Sequence, residues 1–407
     1  MTDEIPASQA FPPLGPGAPG FLAQPGDAEI IAGVGTLPLE QPEPEEALPT
    51  DAALWAVVLA GGIGSRFWPL SSPNRPKQLL ALVGERPLIA DTIARLAPLI
   101  PAERVLVVTS QDIADALHAA IPDVPRANML IEPRPLGTAA AVAWGAQEVA
   151  RRAGPKTVFC ALHADLAAAY PDEFRRVLRR AAAIAAADDV LVTLAARPTR
   201  PETGFGYIVP GRPLDADIGL TQGGAFRVER FVEKPGAILA EELINRGALW
   251  NTGVFVWQAG VVLDALTAHT PELAHGLPAL AAGRFDRFAG LIQSISIDRG
   301  LLERSERVVA LPADFGWDDV GTWACLRRVR ELDDTGNGVS GVAHLVDASS
   351  NIVHAESGTV VVYGVSSMLV VSLPGLTFVT SLERAKELNP LLDALPEEVR
   401  RQARAAP

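Results

Sequence analysis

The sequence predicts an α/β protein: a doubly wound, mostly parallel sheet, followed by a small β domain. Short β-branched apolar runs recur at LWAVVLA (54–60), RVLVVTS (104–110), TVFCALHAD (157–165) and DVLVTLAA (189–196). This is the texture of strands buried on both faces. Alanine-rich stretches of helical length lie between them, at 88–100, 139–153 and 172–187, giving the strand–helix alternation of βαβ units. After Arg330 the pattern changes to short β runs, SNIVHAES, GTVVVYG, SSMLVVSLPG and LTFVTS, within 350–381. Evenly spaced short runs of this kind predict a small sheet or β-helix-like module. The polar amphipathic stretch from Ser381 onward predicts a closing helix.

Residues 1–50 hold eight acids, no Lys or Arg, and ten of the 34 prolines. They read as a disordered acidic tail ahead of an α/β domain at 51–330 and a β domain at 331–407. The whole chain carries a net charge of −13, which argues against a nucleic-acid partner, since that would need a basic face. A small anionic substrate remains compatible, because one pocket can be basic on an acidic protein. Cys160 and Cys325 are the two cysteines; they give neither a disulfide framework nor a zinc site and suit a reducing compartment. The start has no basic stretch followed by an apolar one, so it does not read as a secretory signal. No apolar run is long enough to suggest a membrane span. The expected location is cytoplasmic.

In open α/β sheets, ligands bind beyond the carboxyl ends of the strands. The first run ends at Ala60 and passes into Gly61, Gly62, Gly64, Ser65 and Arg66. Glycines here let backbone N–H groups approach a phosphate, and Arg66 adds a fixed fork of donors. Phe67 occupies the third glycine position of a dinucleotide-binding fingerprint, and the P-loop spacing is absent. Lys77 follows in the tripeptide PKQ, with Pro69, Pro73 and Pro76 stiffening the loop between. Two cations on a proline-pinned loop suit a triphosphate.

The string GGIGSRFWPLS…PKQ resembles the signature of sugar-1-phosphate nucleotidyltransferases, and its Phe-Trp-Pro-Leu-Ser portion is most similar to the mannose-1-phosphate guanylyltransferases. The resemblance implies a Rossmann-like nucleotidyltransferase fold. IEPRPLGTAAAV (131–142) is similar to the base-recognition loop, with Glu132, Gly137 and Thr138 as nucleotide contacts. The residue chemistry agrees: guanine presents two adjacent donors, N1–H and the exocyclic amine, which one carboxylate can accept together. Asp165 of ALHAD and Asp319 of ADFGWDDVGTW match the family's metal carboxylates. That implies Mg²⁺, with Mn²⁺ as a substitute; a hard cation is commonly held by one or two carboxylates plus substrate phosphates. Asp318 reads as a supporting or capping residue, and His163 as a packed strand-end residue.

PETGFGYI (201–208), RFVEKP (230–235) and LWNTGVFVW (249–257) are similar to the sugar-phosphate pocket. They nominate Glu202, Gly204, Tyr207, Glu233, Lys234, Asn251 and Thr252. Lys234 is the candidate for the sugar's 1-phosphate, and the carboxylates and amide suit vicinal hydroxyls. Asp298 in SIDRGLLERS is carried over without a specific role. The resemblance as a whole implies GTP and α-D-mannose 1-phosphate as substrates, with Arg66, Lys77, Asp165 and Asp319 catalytic. GDP-heptose, UDP-glucose or dTDP-glucose synthesis, or a non-catalytic GDP-mannose sensor, stay open as alternatives. The C-terminal β domain is the expected site of a homodimer contact, and the chain ends before there is room for the isomerase domain of bifunctional relatives.

Overall fold

The computed structural model describes residues 53–62, 65–73, 75–214 and 224–402. The acidic tail expected at 1–50 and the candidate Gly64 lie outside the described residues. All four apolar runs form strands: β1 (Trp55–Leu59), β2 (Val105–Ser110), β4 (Val158–His163) and β6 (Leu191–Ala196). They share one sheet with β3 (Met129–Glu132), β7 (Gly206–Pro213), β8 (Phe226–Glu233), β9 (Leu249–Gln258) and β10 (Val308–Pro312). The order of the nine strands is β3-β2-β1-β4-β9-β6-β10-β8-β7.

The half built from β3, β2, β1 and β4 is parallel throughout. β9 then enters antiparallel between β4 and β6, and β7 and β8 form an antiparallel hairpin. The doubly wound α/β class therefore holds, and the sheet as a whole is mixed. Of the antiparallel strands, β8 is only partly buried.

Why the helices form is visible in their spacing. α1 (Leu88–Leu96), α2 (Ala114–Ala120) and α4 (Pro171–Ala187) cover one side of the sheet with Ile89, Leu117, Phe174, Leu178 and Ala181. In α3 (Thr138–Ala153), Ala139, Val142, Ala143, Ala146 and Val149 fall on one face and enter the core on the other side with Val57, Phe255 and Trp257. Pro171 sits at the start of α4, where a missing N–H costs nothing. Alternation along β1 feeds both cores, Val57 and Leu59 to one, Ala56 and Val58 to the other.

A short ribbon positions the chemistry. β5 (Leu166–Ala168) pairs antiparallel with β11 (Trp317–Asp319), with Asp319 opposite Leu166. The register places Asp319 beside Asp165, which immediately precedes β5. Gly316 enters the ribbon with φ of +67°, and a Cβ there would stand 2.5 Å from the Ala169 Cβ. A side chain would therefore meet both strain and collision.

The C-terminal module is a four-stranded sheet: β12 (Gly338–Val346), β13 (Ile352–Tyr363), β14 (Met368–Leu373) and β15 (Leu376–Ser381). β12, β13 and β14 are parallel and β15 returns antiparallel. An asparagine ladder marks the corners. Asn337 Oδ1 accepts from the Asn351 N–H (2.9 Å) and Nδ2–H (3.0 Å), and Asn351 Oδ1 accepts from the Met368 N–H (2.9 Å). The expected closing helix is a correction. Two short helices, Asn389–Ala394 and Glu397–Gln402, follow a 3-10 turn at Arg384–Lys386. Pro390 and Pro396 each lack the N–H that a continuous helix needs and each open a new one. Among the described residues no helix is long and apolar enough to cross a membrane.

Candidate active site

A cleft of about 620 Å³ opens at the carboxyl ends of β1, β3 and β4, where an open α/β sheet places its ligands. It has three parts, and each is built by a segment with a sequence motif of its own.

The first wall is the glycine loop. Ala60, Gly61 and Gly62 line it, and Arg66 and Lys77 face the same space. Gln78, nearly fully buried, donates from Nε2 to the Gly62 carbonyl at 2.7 Å. The motif alone gives this residue no role; its position after Lys77 is the available signal. Ser65 begins a 3-10 turn with Arg66 and Phe67.

Glu132 ends β3 and points into the cleft with only 7% of its surface exposed. Its Oε1 has no hydrogen-bond partner among the described residues. Gly61 lies beside its other carboxylate oxygen, where a Cβ would stand at 3.6 Å. Burial pushes the Glu132 carboxyl up to about 7. Gly137 lines the cleft with φ +88°, and a Cβ there would stand 2.5 Å from the Ile295 carbonyl oxygen. Thr138 starts α3 and accepts the Ile297 N–H at 2.9 Å, tying this wall to the turn holding Asp298.

The floor is a charge cluster. The Lys77 ammonium forms an ion pair with Asp165 and donates to the Val320 carbonyl at 3.0 Å. Burial works against every charge here. Lys77 nevertheless stays above its ordinary range because Asp165 and Asp319 both face it. Asp165 is held low against burial by Lys77 and His163, whereas burial and the Asp165 charge push Asp319 up. A Cβ at Gly321 would stand 2.7 Å from Asp319 Oδ2 and 3.7 Å from Arg66 Nη1, so the Arg66 guanidinium reaches this floor as well. Among the described residues no group of three or more His, Cys, Asp and Glu forms a metal cage. Two convergent carboxylates, already balanced by one cation, are a donor set that fits a hard cation completed by phosphate oxygens. Asp318 pairs with Arg328 at 2.6 and 2.9 Å, as a supporting residue would. His163 is a correction: it is exposed and lines the cleft, because it is the last residue of β4, at the carboxyl end of the strand where the packed layers give way to the cleft.

The second wall carries Gly204, Glu233, Lys234, Asn251 and Thr252. Lys234 takes a left-handed backbone, φ +49°, and its ammonium sits 2.8 Å from Glu233. Asn251 accepts from Thr193 Oγ1 (2.9 Å) and donates to Asp298 Oδ1 (3.1 Å). Burial, with the Glu233 charge nearby, raises Asp298 to about 6. Thr252 donates to the Leu194 carbonyl at 2.8 Å, which leaves its hydroxyl occupied. Two nominated residues do not line the cleft. Tyr207 is fully buried and its hydroxyl closes on the Glu202 backbone, accepting from N–H (2.9 Å) and donating to C=O (3.0 Å). Glu202 itself pairs with Arg200 at 3.1 Å. Both shape the loop before β7. In their place, Phe205 and Trp317 face the cleft and pack edge-on at 5.0 Å. An aromatic beside each polar motif was the signal for them.

The nucleotidyl transferase family profile matches residues 55–335, and the chain belongs to that family. Within it, the chain is 32% identical over 367 residues to a mannose-1-phosphate guanylyltransferase of Sinorhizobium fredii, covering 86% of this chain and 70% of the relative. It is also 32% identical over 366 residues to the mannose-1-phosphate guanylyltransferase of Escherichia coli K12, covering 86% and 75%. In three dimensions it is similar to the crystal structure described as mannose-1-phosphate geranyltransferase from Thermus thermophilus. The TM-score is 0.76 at 34% identity, covering 84% of this chain and 98% of that one.

The raised Glu132 carboxyl sets a sign for stability against pH. The folded protein holds that proton more tightly than the unfolded chain, so the contribution is complete below the ordinary carboxyl range. It is lost as pH rises through about 7. Between about pH 4.5 and 7, Glu132→Gln should gain stability relative to the ligand-free wild type, by ~1–3 kcal/mol. Urea unfolding of both proteins at pH 5 and pH 8 measures this; a pH-independent difference would show that the carboxyl is not raised.

Proposed function

We propose that this chain transfers a guanylyl group from GTP to α-D-mannose 1-phosphate, giving GDP-mannose and diphosphate. The observation that carries the choice of base is Glu132, a buried carboxylate with one oxygen unpartnered, lining the cleft beside Gly61. The names of the relatives support the same nucleotide and sugar. In this reading a phosphate oxygen of the sugar phosphate attacks the α-phosphorus of GTP in line. The bond from that phosphorus to the bridging oxygen breaks, and diphosphate leaves with its electron pair. Catalysis is by positioning and charge neutralisation.

Arg66 and Lys77 take the triphosphate and the departing diphosphate. Lys77 is held beforehand by Asp165 and the Val320 carbonyl, so little reorganisation accompanies the reaction. Lys234 orients the attacking phosphate, and Glu233 and Asn251 face the sugar hydroxyls. Asp165 and Asp319 would hold Mg²⁺, or Mn²⁺ in its place, which would neutralise phosphate charge. The reading assigns the enzyme to the cytoplasm, where its nucleotide substrate is available. It also assigns a homodimer contact to the C-terminal sheet, whose Val342, Val346, Val361 and Tyr363 are exposed; a single-chain mass by sedimentation equilibrium would remove that contact.

Diphosphate release over a matrix of four NTPs and several sugar 1-phosphates tests the assignment, with GTP and mannose 1-phosphate expected as the preferred pair. ITP keeps N1–H but lacks the amine, so it should be poorer than GTP by about 1–3 kcal/mol in kcat/KM. Glu132→Gln should weaken GTP use and narrow the gap. An unchanged GTP/ITP ratio in that variant removes Glu132 as the base reader.

The carboxylate floor generates a second expectation. Turnover should cease in excess chelator and return with Mg²⁺ or Mn²⁺, and Asp165→Asn and Asp319→Asn should each lower kcat by ~2–4 kcal/mol of transition-state stabilisation with the fold retained by circular dichroism. Full turnover in excess EDTA would exclude this use of the two residues.

A further inference from the structure

The loop that presents Arg66 and Lys77 rests on a core separate from the two that flank the nine-stranded sheet. In this third core Phe67, Trp68 and Leu70 pack with Ile352, Leu369 and Phe378 of the C-terminal sheet. Directional contacts cross the same seam. Trp68 meets the Phe378 ring edge-on at 5.1 Å. Arg75 grips both carboxylate oxygens of Glu356, at 2.8 and 3.4 Å. Arg330, where the chain crosses between the modules, donates to the Leu82 carbonyl at 2.5 Å.

The turn that presents Asp319 enters this core too. Val320 and Trp323 are fully buried in it. Trp323 donates from Nε1 to the Trp68 carbonyl at 3.0 Å, and its ring lies 5.4 Å from Phe67. Phe67 adjoins Arg66, and Val320 adjoins Asp319 while its carbonyl holds the Lys77 ammonium. Arg66 and Asp319 thus each adjoin a side chain of this shared core, and the Lys77 ammonium is held by the backbone carbonyl of one of them.

We propose that the C-terminal sheet is a positioning element of the active site: through Phe378 and Glu356 it fixes the loop carrying Arg66 and Lys77 against the turn carrying Asp319. An appendage that only added stability would have no reason to place its apolar and ionic contacts on the two segments that converge on the floor. The inference rests on the reading that this loop holds the triphosphate. Misplacing a reacting group by about 1 Å from a distance can cost roughly 100-fold in rate.

Phe378 and Glu356 touch no substrate space, so the test separates position from chemistry. Phe378→Ala should slow kcat roughly 10–100-fold at a temperature where circular dichroism shows it folded, with KM for the sugar phosphate unchanged; Phe378→Leu should recover most of the rate. Arg75→Glu and Glu356→Arg should each lower kcat severalfold, and the double swap, which restores the pair, should recover it. A folded Phe378→Ala enzyme with wild-type kcat and only a lower Tm overturns the proposal. So do the two charge variants if both run at the wild-type rate, and they decide alone if Phe378→Ala does not fold. Wild-type turnover over the substrate matrix tests the reading beneath; the ratio of variant to wild type, taken with whichever pair the wild type uses, tests the positioning role.

Discussion

The Lys77 ammonium is the constraint around which the rest is arranged. Burying carboxylates without a counter-charge is costly, and Asp165 and Asp319 reach the same spot from distant parts of the chain. One cation between them makes the cluster tolerable. The ribbon of β5 and β11 supplies the register, and Gly316 allows the strands to approach. The glycine loop must then stay close enough for Lys77 to reach, which gives the third core its position. Remove the ammonium and two like charges face each other at the floor of the cleft.

Much of the fold was legible because strands buried on both faces advertise themselves as continuous apolar runs. The four such runs and the three alanine-rich helices stand where expected, within a few residues. β9 was less legible as an antiparallel insertion because strand direction leaves no mark in composition; it depends on which loops are long enough to reverse the chain. The closing helix failed on local chemistry that was present in the sequence, since Pro390 and Pro396 divide what amphipathic periodicity joins.

For the site, residues whose place in the cleft follows from chain position were the readable ones: loop cations, strand-end carboxylates, a carboxylate at the end of β3. Residues whose role depends on the direction of one side chain were not. Tyr207 and Glu202 sit in a motif beside the cleft, yet alternation turns Tyr207 inward and Arg200 claims Glu202. His163 is exposed because it ends β4, past the packed layers on either face. Gln78 acts through a backbone carbonyl sixteen residues earlier, a partnership that needs the folded loop to be seen. Phe205 and Trp317 enter the wall because motifs that hold polar groups also need apolar backing to keep them in place.

The asparagine corners of the C-terminal module have a consequence for how its length can vary. At Asn337 and Asn351 alike the side-chain oxygen accepts a backbone N–H of the following coil, so each corner ties one coil to the next, as in solenoid arrays. β12 lies at the edge of the sheet, beside β13, whose Ile352 enters the core with Phe67 and Trp68. Insertion or deletion of a whole coil would keep the corner contacts in register, whereas a change of one or two residues would break the corner. Length changes in the module are therefore expected in whole coils rather than in single residues.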